Sequence, residues 1–292
     1  MSQTPVHVVK EYHGLPPPNG YRTPTPAELV GLCTKKHPRG FSIGLAHPPE
    51  APVFWIKYGF SVLWNEVPAQ VMAYEELRSL QSPIRAPGIF YACAIKETPG
   101  SELCTLFIVM EFIPGRTAEE WLKSIQDPVG QNRIYSFIAL ALSELHRIPV
   151  PPDSRPASID KGRIRHALFD MYQAPRHYEN VGQLEDHLNC PMVFCYSDLW
   201  LQNFMIDDDD NVAVVDFAVV SILPSSFSKL VLFGEDSKIG RDISNLVQIP
   251  TTKGVDNTAA LYDVCAPMVF SPHVFASIGC KLPGDIEVKE LG

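Results

Sequence analysis

The chain has 292 residues, 46% hydrophobic and 20% charged, which is enough to bury a core in one large domain or two lobes. No apolar run of about 18 residues and no basic stretch followed by an apolar core is present, so the sequence predicts neither a membrane span nor a secretory signal. The net charge is −9 and lies entirely after residue 112, since residues 1–112 hold nine Lys and Arg against nine Asp and Glu. This balance argues against nucleic-acid binding.

The N-terminal part shows strand signals around one helix. Residues 14–26 are rich in Pro and Gly and predict irregular structure, followed by a short helix over residues 25–34. Apolar positions at helical spacing predict a helix over residues 64–80. Alternating and β-branched residues predict strands at residues 40–45, 52–57, 90–95 and 105–110.

The C-terminal part shows mainly helix signals. Residues 111–115 break regular structure and form the natural hinge. Thr117 and Glu120 have capping-box spacing, and Asp127 followed by Pro128 begins a long helix with one apolar face. Further helices are predicted at residues 184–188, 227–233 and 257–264. Sheet first and helices later predict an α+β fold of two lobes, with residues 1–112 as the antiparallel-sheet N-lobe and residues 113–292 as the mainly helical C-lobe.

Asp198, Asn203 and Asp216 have the spacing of a phosphoryl-transfer site. Such a site needs a carboxylate that orients the acceptor and takes its proton, and two oxygen ligands for Mg²⁺. Asp198 fits the first role, while Asn203 and Asp216 fit the metal roles. The apolar runs on both sides of the turn at residues 207–211 make a simple hairpin a weaker reading. The spacing therefore predicts a kinase-type site.

At these residues the chain resembles the phosphotransferases related to aminoglycoside and choline kinases, including their large fungal set. The resemblance covers about two thirds of the chain and also includes Trp55–Gly59, Arg85–Phe90, Val109–Gly115, Leu145–Pro149 and Leu184–Asn189. It implies a protein-kinase-like fold, ATP and Mg²⁺ as cofactors, and a small-molecule acceptor. A cytoplasmic protein is expected, because the seven cysteines are odd in number and lack metal-type spacing. A monomer is also expected.

The resemblance also implies a nucleotide site in the N-lobe. Lys57 would bind the α- and β-phosphates, with Glu66 as its partner and Glu75 or Glu76 in reserve. Adenine would lie at the hinge strand beside Glu111 and Phe112. Two glycines, Gly40 and Gly44, stand where relatives have a glycine-rich loop; they either contact phosphate or form an ordinary hairpin turn.

Three positions near the site depart from the family pattern or allow two readings. Tyr196 stands where relatives have a scaffolding histidine, and Ala218 follows Asp216 and Phe217 where many fungal relatives have Glu. Trp200 either stacks on an acceptor ring or packs beneath the loop, and packing is favoured slightly. The acidic run over residues 207–210 predicts a solvated turn, and His146 and His166 are expected to be structural.

The leading hypothesis is an ATP- and Mg²⁺-dependent small-molecule kinase that phosphorylates a hydroxyl or an amine. A weak or inactive relative that binds nucleotide or a partner is a second hypothesis, and a protein kinase is a third, disfavoured because no activation segment follows Asp216. The acidic C-terminal half favours a cationic acceptor, although its charge could serve solubility alone. Residues 225–275 are expected to form most of the acceptor pocket, with Glu235, Asp236 and Asp242 as charged contributors.

Overall fold

The computed structural model describes residues 6–34, 43–96, 104–152, 154–162, 164–167, 191–232, 239–251, 258 and 261. Within these residues the chain forms a mixed α+β fold with an antiparallel sheet in its N-terminal part. None of the described helices is long and apolar enough to cross a membrane.

A five-stranded antiparallel sheet forms the N-terminal part, in the order β1-β5-β6-β3-β2. Its strands are β1 (His7–His13), β2 (Ile43–His47), β3 (Phe54–Gly59), β5 (Ile89–Lys96) and β6 (Cys104–Glu111). Strands β2, β3, β5 and β6 match the predicted strands within a few residues. Strand β1 was not predicted, because its mostly exposed residues carry little alternation and its structure comes from pairing with β5.

Two helices cover opposite faces of this sheet. Helix α1 (Pro26–Thr34) packs on the face that carries Phe54, Ile56 and Tyr58. Helix α2 (Glu66–Ser79) packs on the other face, where its residue Val67 joins Ile108 and Met110 of β6. Since successive residues of a strand point to opposite faces, Trp55 and Lys57 lie on the α2 face.

Two helices follow residues 111–115 at the positions that the capping signals predict. Thr117 accepts a hydrogen bond from the N–H of Glu120, whose carboxylate accepts from the N–H of Thr117, so a capping box begins α3 (Ala118–Ser124). Asp127 accepts from the N–H of Gly130 at 2.7 Å and begins α4 (Pro128–His146). The apolar face of α4 forms the centre of the largest core cluster.

Two small sheets carry the loops that contain Asp198, Asn203 and Asp216. One has the order β4-β11-β10-β7 and the other β8-β12-β9. Their strands are β4 (Ile84–Arg85), β7 (Arg116–Thr117), β8 (Ala157–Ser158), β9 (Met192–Tyr196), β10 (Phe204–Ile206), β11 (Val212–Val214) and β12 (Val220–Pro224). Helix α5 (Ser225–Leu230) begins two residues before the helix predicted there. The helix predicted at residues 184–188 lies outside the described residues, as does most of the one predicted at 257–264.

Candidate active site

Lys57, Glu66 and Asp216 meet at one point although they come from three separate elements. The Nζ atom of Lys57 lies 2.8 Å from both carboxylate oxygens of Glu66 and 2.8 Å from Oδ1 of Asp216. The Glu66 side chain is fully buried, whereas the Asp216 side chain is 33% exposed. The structure thus pairs Lys57 with Glu66, the first residue of α2, rather than with Glu75 or Glu76.

Burial and charge act against each other in this cluster. Burial alone would lower the pKa of Lys57, but the carboxylates of Glu66 and Asp216 outweigh it and raise the pKa above its ordinary value. Burial raises the pKa of Glu66 to about 7, although the ammonium of Lys57 opposes that shift. The cluster therefore holds a fixed positive charge on Lys57 at neutral pH.

Asp198 and Asn203 face each other across a tight turn. Strand β9 ends at Tyr196, and a 3₁₀ turn over Leu201–Asn203 brings the Asn203 side chain back toward Asp198. Nδ2 of Asn203 donates to the carbonyl of Asp198 at 2.9 Å and to its Oδ2 at 3.3 Å. The amide oxygen of Asn203 is the atom with which this residue could bind a cation.

Asp216 is held in an unusual backbone conformation by its neighbour Val215. The φ angle of Asp216 is +62°, in the left-handed region that residues other than glycine rarely adopt. The N–H of Val215 donates to the carbonyl of Asn203 at 2.9 Å, and the carbonyl of Val215 accepts from the phenol of Tyr196 at 2.8 Å. Both peptide groups before Asp216 are thereby fixed to the loop that carries Asp198.

Tyr196 is therefore a buried scaffold residue, as the sequence suggested for a residue replacing histidine. Its ring packs edge-on against Phe204 and Phe217, with centroids 6.3 Å and 5.5 Å away. Burial, together with the nearby carboxylates of Asp216 and Asp198, raises the pKa of its phenol well above the ordinary value. The phenol stays protonated and remains a hydrogen-bond donor.

The hinge residues use their polar groups inside the protein. The N–H of Glu111 donates to the carbonyl of Gly88 at 2.8 Å, and the N–H of Phe112 donates to the carbonyl of Val53 at 3.0 Å. The Glu111 carboxylate accepts from Arg85 at 2.8 Å and from the N–H of Gly88 at 3.3 Å. Neither hinge residue therefore offers its N–H to a nucleobase in this conformation.

The two glycines expected near phosphate have different outcomes. Gly40 lies outside the described residues. Gly44 lies within β2 opposite Lys57, and a Cβ atom there would stand 1.9 Å from the Trp55 ring. Close packing against Trp55 thus requires a glycine at position 44. Trp55 is 37% exposed on the face of β3 that carries Lys57. Trp55 lies within the family resemblance, but no role in the site was predicted for it from the sequence.

Several other candidates lie apart from this cluster or serve structure. Asp207 accepts from the N–H groups of Asp209 and Asn211, so the acidic run forms the predicted turn. His146 and His166 are buried and bond to backbone carbonyls.

The remaining candidates are those expected near the acceptor, namely Asp242, Trp200, Glu235 and Asp236. Asp242 accepts from the N–H of Ser244 at 2.8 Å on an exposed segment. Trp200 is 47% exposed, against the slight preference for packing beneath the loop, and Glu235 and Asp236 lie outside the described residues.

A divalent cation fits the donor set of this site. Among the described residues there is no group of three or more His, Cys, Asp or Glu that could hold a metal ion. Mg²⁺ needs fewer protein ligands, because it commonly keeps several waters and binds one or two protein oxygens together with substrate phosphates. Asn203 and Asp216 present an amide oxygen and a carboxylate of the hard type that Mg²⁺ prefers.

The family profile described as "Phosphotransferase enzyme family" matches residues 65–223, which is more than half of the chain. The chain belongs to the phosphotransferase enzyme family. The matched range begins at the residue before Glu66 and includes Asp198, Asn203 and Asp216, while Lys57 lies before it. No curated protein sequence matches the chain.

Solved structures similar to this phosphotransferase include aminoglycoside and choline or ethanolamine kinases. The streptomycin–ATP complex of the aminoglycoside phosphotransferase APH(2")-IIa is 17% identical with a TM-score of 0.43, over 85% of this chain and 90% of that one. A ternary complex of an APH(4)-Ia mutant with AMP-PNP and hygromycin B is 11% identical with a TM-score of 0.43, over 83% and 84%. A choline/ethanolamine kinase family protein from Mesorhizobium loti is 15% identical with a TM-score of 0.40, over 84% and 82%.

Proposed function

We propose that this phosphotransferase is an ATP- and Mg²⁺-dependent kinase that transfers the γ-phosphate of ATP to a hydroxyl or an amine of a small molecule. The observation that carries the proposal is the position of Lys57, 2.8 Å from Glu66 and from Asp216. Kinases depend on a lysine paired with a buried glutamate for phosphate binding, and on a nearby aspartate for binding Mg²⁺. The order of Asp198, Asn203 and Asp216 along the chain supports the same reaction.

Each residue has one role in this proposal. The Lys57 ammonium binds the α- and β-phosphates, and Glu66 fixes its position. The Asp198 carboxylate orients the acceptor and accepts its proton. The acceptor atom forms a bond to the γ-phosphorus as the bond from that phosphorus to the β–γ bridging oxygen breaks and ADP leaves. Asn203 and Asp216 would hold Mg²⁺, and the bound ion would neutralise the charge of the phosphates. Positioning and charge neutralisation supply most of the rate enhancement in such reactions.

Trp55 supplies a surface for the nucleobase in this proposal. It lies two residues before Lys57 on the same strand face, and its register partner on β6 is Met110 at the start of the hinge. A base that reaches the hinge from phosphates at Lys57 would pass along this partly exposed ring, and bases stack well on aromatic side chains. Since the N–H groups of Glu111 and Phe112 are used internally, we assign the hinge contact to backbone carbonyls.

The division into two kinase-like lobes is part of the same proposal. We place residues 1–112 in the nucleotide-binding lobe and residues 113–292 in the lobe of catalysis and acceptor binding. The boundary is supported by Gly115, which follows the last strand of the first sheet by four residues and has a φ of +117°. A Cβ atom at Gly115 would lie 2.7 Å from the carbonyl of Ile206, so glycine is needed at this turn.

The acceptor that we propose is a small cationic molecule bound beside Asp198. The supporting observation is the charge distribution, with fifteen Lys and Arg against twenty-four Asp and Glu after residue 112. The half-exposed ring of Trp200, two residues after Asp198, is a second feature suited to a cation. A cytoplasmic location is also proposed, because the described cysteines Cys33, Cys93, Cys104 and Cys195 are free thiols, as is usual in a reducing compartment.

A binding experiment tests the nucleotide part first. ATP should stabilise the protein against thermal unfolding in the presence of Mg²⁺ and much less in its absence. The control is Lys57→Met, which removes the phosphate-binding charge and should abolish the ATP effect. A wild-type protein that ATP and Mg²⁺ do not stabilise, and to which they do not bind in calorimetry, would contradict the proposal.

A product screen then tests the acceptor class. Amines, amino alcohols, neutral sugars and anionic alcohols are incubated with radiolabelled ATP, and transfer to each acceptor is measured. Transfer to cationic acceptors that weakens with added salt supports the proposed class. Transfer to neutral or anionic acceptors alone would leave the kinase assignment standing and exclude a cationic acceptor.

A further inference from the structure

Asn65 links the start of α2 to the segment that follows Asp216. The side chain is 2% exposed and lies directly before Glu66. Its Nδ2 donates to the carbonyl of Val220 at 3.0 Å and to that of Ala218 at 3.3 Å. Its Oδ1 accepts from the N–H of Asp160 at 3.3 Å. We call these four residues the Asn65 network.

Helix capping does not explain this asparagine. Asn65 occupies the N-cap position of α2, where Asn, Asp and Ser commonly accept a hydrogen bond from the first turn. Here the residue has helical φ and ψ of −53° and −30°, and its side chain makes no capping bond. The amide instead contacts two carbonyls on one side and an N–H on the other, so it acts as donor and acceptor at once.

The partners of Asn65 all lie in the C-terminal part of the chain and are themselves fixed. Asp160 follows β8, which pairs with β12, and its Oδ1 accepts from the N–H of Gly162 at 2.8 Å. The N–H of Ala218 faces Oδ1 of Asp216 at 3.4 Å, while its carbonyl accepts from Asn65. Ala218 therefore contacts the metal-type carboxylate on one side and the start of α2 on the other.

Glu66 and Asp216 must both reach Lys57, yet they stand 150 positions apart in the numbering. Each is next to the Asn65 network: Glu66 follows Asn65, and Asp216 precedes Ala218 by two residues. The network therefore spans the same two segments that meet at the Lys57 ammonium. Any widening of the gap between those segments would break the Asn65 hydrogen bonds and one of the two Lys57 contacts together.

We infer that Asn65 is a positioning residue, which holds the start of α2 against the 216–220 segment so that Glu66 and Asp216 both contact Lys57. This inference rests on the proposed function for its consequence in catalysis, but the geometry that it describes can be tested without any nucleotide. Substituting Asn65 should loosen the Lys57 contacts first and weaken binding of ATP with Mg²⁺ as a result.

The test compares Asn65→Ala, Asn65→Asp and the wild-type protein. Asp is isosteric and is itself a good N-cap residue, but it cannot donate to the carbonyls of Ala218 and Val220. The readout is the rate at which an amine-acylating reagent labels Lys57, measured by mass spectrometry with the exposed Lys123 as the internal standard. Ile243→Val, which removes one methylene from the buried core in a different segment of the chain, controls for general loss of stability.

We expect Lys57 to be labelled about fivefold faster in both Asn65 variants, which corresponds to the loss of one hydrogen bond. Labelling in Ile243→Val should not change. Wild-type labelling in Asn65→Asp would show that size or capping is what matters and would overturn the inference, as would equal increases in all three variants. If Asn65→Ala proves insoluble, the isosteric Asn65→Asp decides alone.

The same variants are then titrated with ATP and Mg²⁺ by calorimetry. We expect the dissociation constant to rise about fivefold in both Asn65 variants. Unchanged affinity, despite faster labelling, would overturn the functional part of the inference. A wild-type protein that binds no nucleotide would contradict the proposed function, while the labelling result would still decide the role of Asn65 in the fold.

Discussion

The phenol of Tyr196 donates a 2.8 Å hydrogen bond to the carbonyl of Val215, the residue directly before Asp216. This bond joins the end of β9, which leads to Asp198, to the end of β11, which leads to Asp216. A buried tyrosine thus does at this position what the family resemblance assigns to a histidine. The departure from the family pattern leaves the connection between the two strands in place.

Tyr196→Phe should destabilise the protein by about 1–3 kcal/mol, because it leaves the carbonyl of Val215 without its donor in a partly buried site. Urea unfolding monitored by circular dichroism measures the change. The control is Tyr74→Phe, which removes the exposed acceptor of Arg78 and should cost less than about 0.5 kcal/mol. Equal effects of the two substitutions would show that the Tyr196 bond has no special value.

Asp198→Ala should lower turnover about 10²–10⁴-fold, because it removes the group that accepts the acceptor's proton. The affinity for ATP with Mg²⁺ should change little, since Asn203 keeps its 2.9 Å bond to the backbone carbonyl of residue 198. Steady-state kinetics and calorimetry separate the two effects. Near wild-type turnover would exclude Asp198 as the base.

Asp216→Asn should weaken Mg²⁺-dependent ATP binding about tenfold or more, because a charged ligand of a hard cation becomes neutral. The matched control is Asp209→Asn, which changes an exposed carboxylate of the acidic turn that lies apart from the Lys57 cluster. Calorimetry at several Mg²⁺ concentrations measures both variants. If the two variants bind ATP with Mg²⁺ alike, Asp216 is not a metal ligand.

Gly44→Ala should destabilise the protein by about 1–3 kcal/mol, because the new Cβ would overlap the Trp55 ring. In a Trp55→Ala background the same change should cost much less, since the ring is gone. The double-mutant cycle is measured by urea unfolding. Additive effects would show that Gly44 is needed for something other than Trp55, such as contact with phosphate.

The protein should lose stability as the pH falls from about 6.5 to about 4. Burial lowers the pKa of His146 and of His166 from 6.5 to about 4, so only the unfolded state binds their protons in this range. Each histidine should therefore contribute about 3 kcal/mol at neutral pH that is lost on acidification. Glu66 has the opposite effect on stability. Burial raises its pKa in the folded state to about 7, so its contribution to the free energy of unfolding is lost as the pH rises.

Two variants isolate the histidine contribution. His146→Asn puts an uncharged amide in place of the ring nitrogen that bonds to the carbonyl of Gln248. His166→Gln does the same for the ring nitrogen that bonds to the carbonyl of Phe227. Each variant should show a flatter dependence of unfolding free energy on pH between about 4 and 6.5 than the wild-type protein. A slope equal to that of the wild type in both variants would contradict the assignment of the acid loss to these residues.

The sequence alone determined the family, the spacing of Asp198, Asn203 and Asp216, and the start of helices α3 and α4. These features depend on signals that lie within a few residues of each other, such as the capping box of Thr117 and Glu120 or the loop between Asp198 and Asn203. Local chemistry decides them, so they can be read before any folding is known. The β-strands of the first sheet followed from alternation for the same reason.

Only the tertiary structure decided which distant groups meet. Strand β1 forms because β5 offers it a partner, and no local pattern announces that pairing. Position 44 needs glycine because the Trp55 ring of the next strand occupies the space that a Cβ atom would take. Asn65 forms hydrogen bonds to residues that lie 95 to 155 positions later in the chain. The direction of a side chain and its distance from remote groups are set by packing. Spacing along the chain therefore predicted the candidate catalytic and metal residues, whereas packing decided which distant residues lie against them.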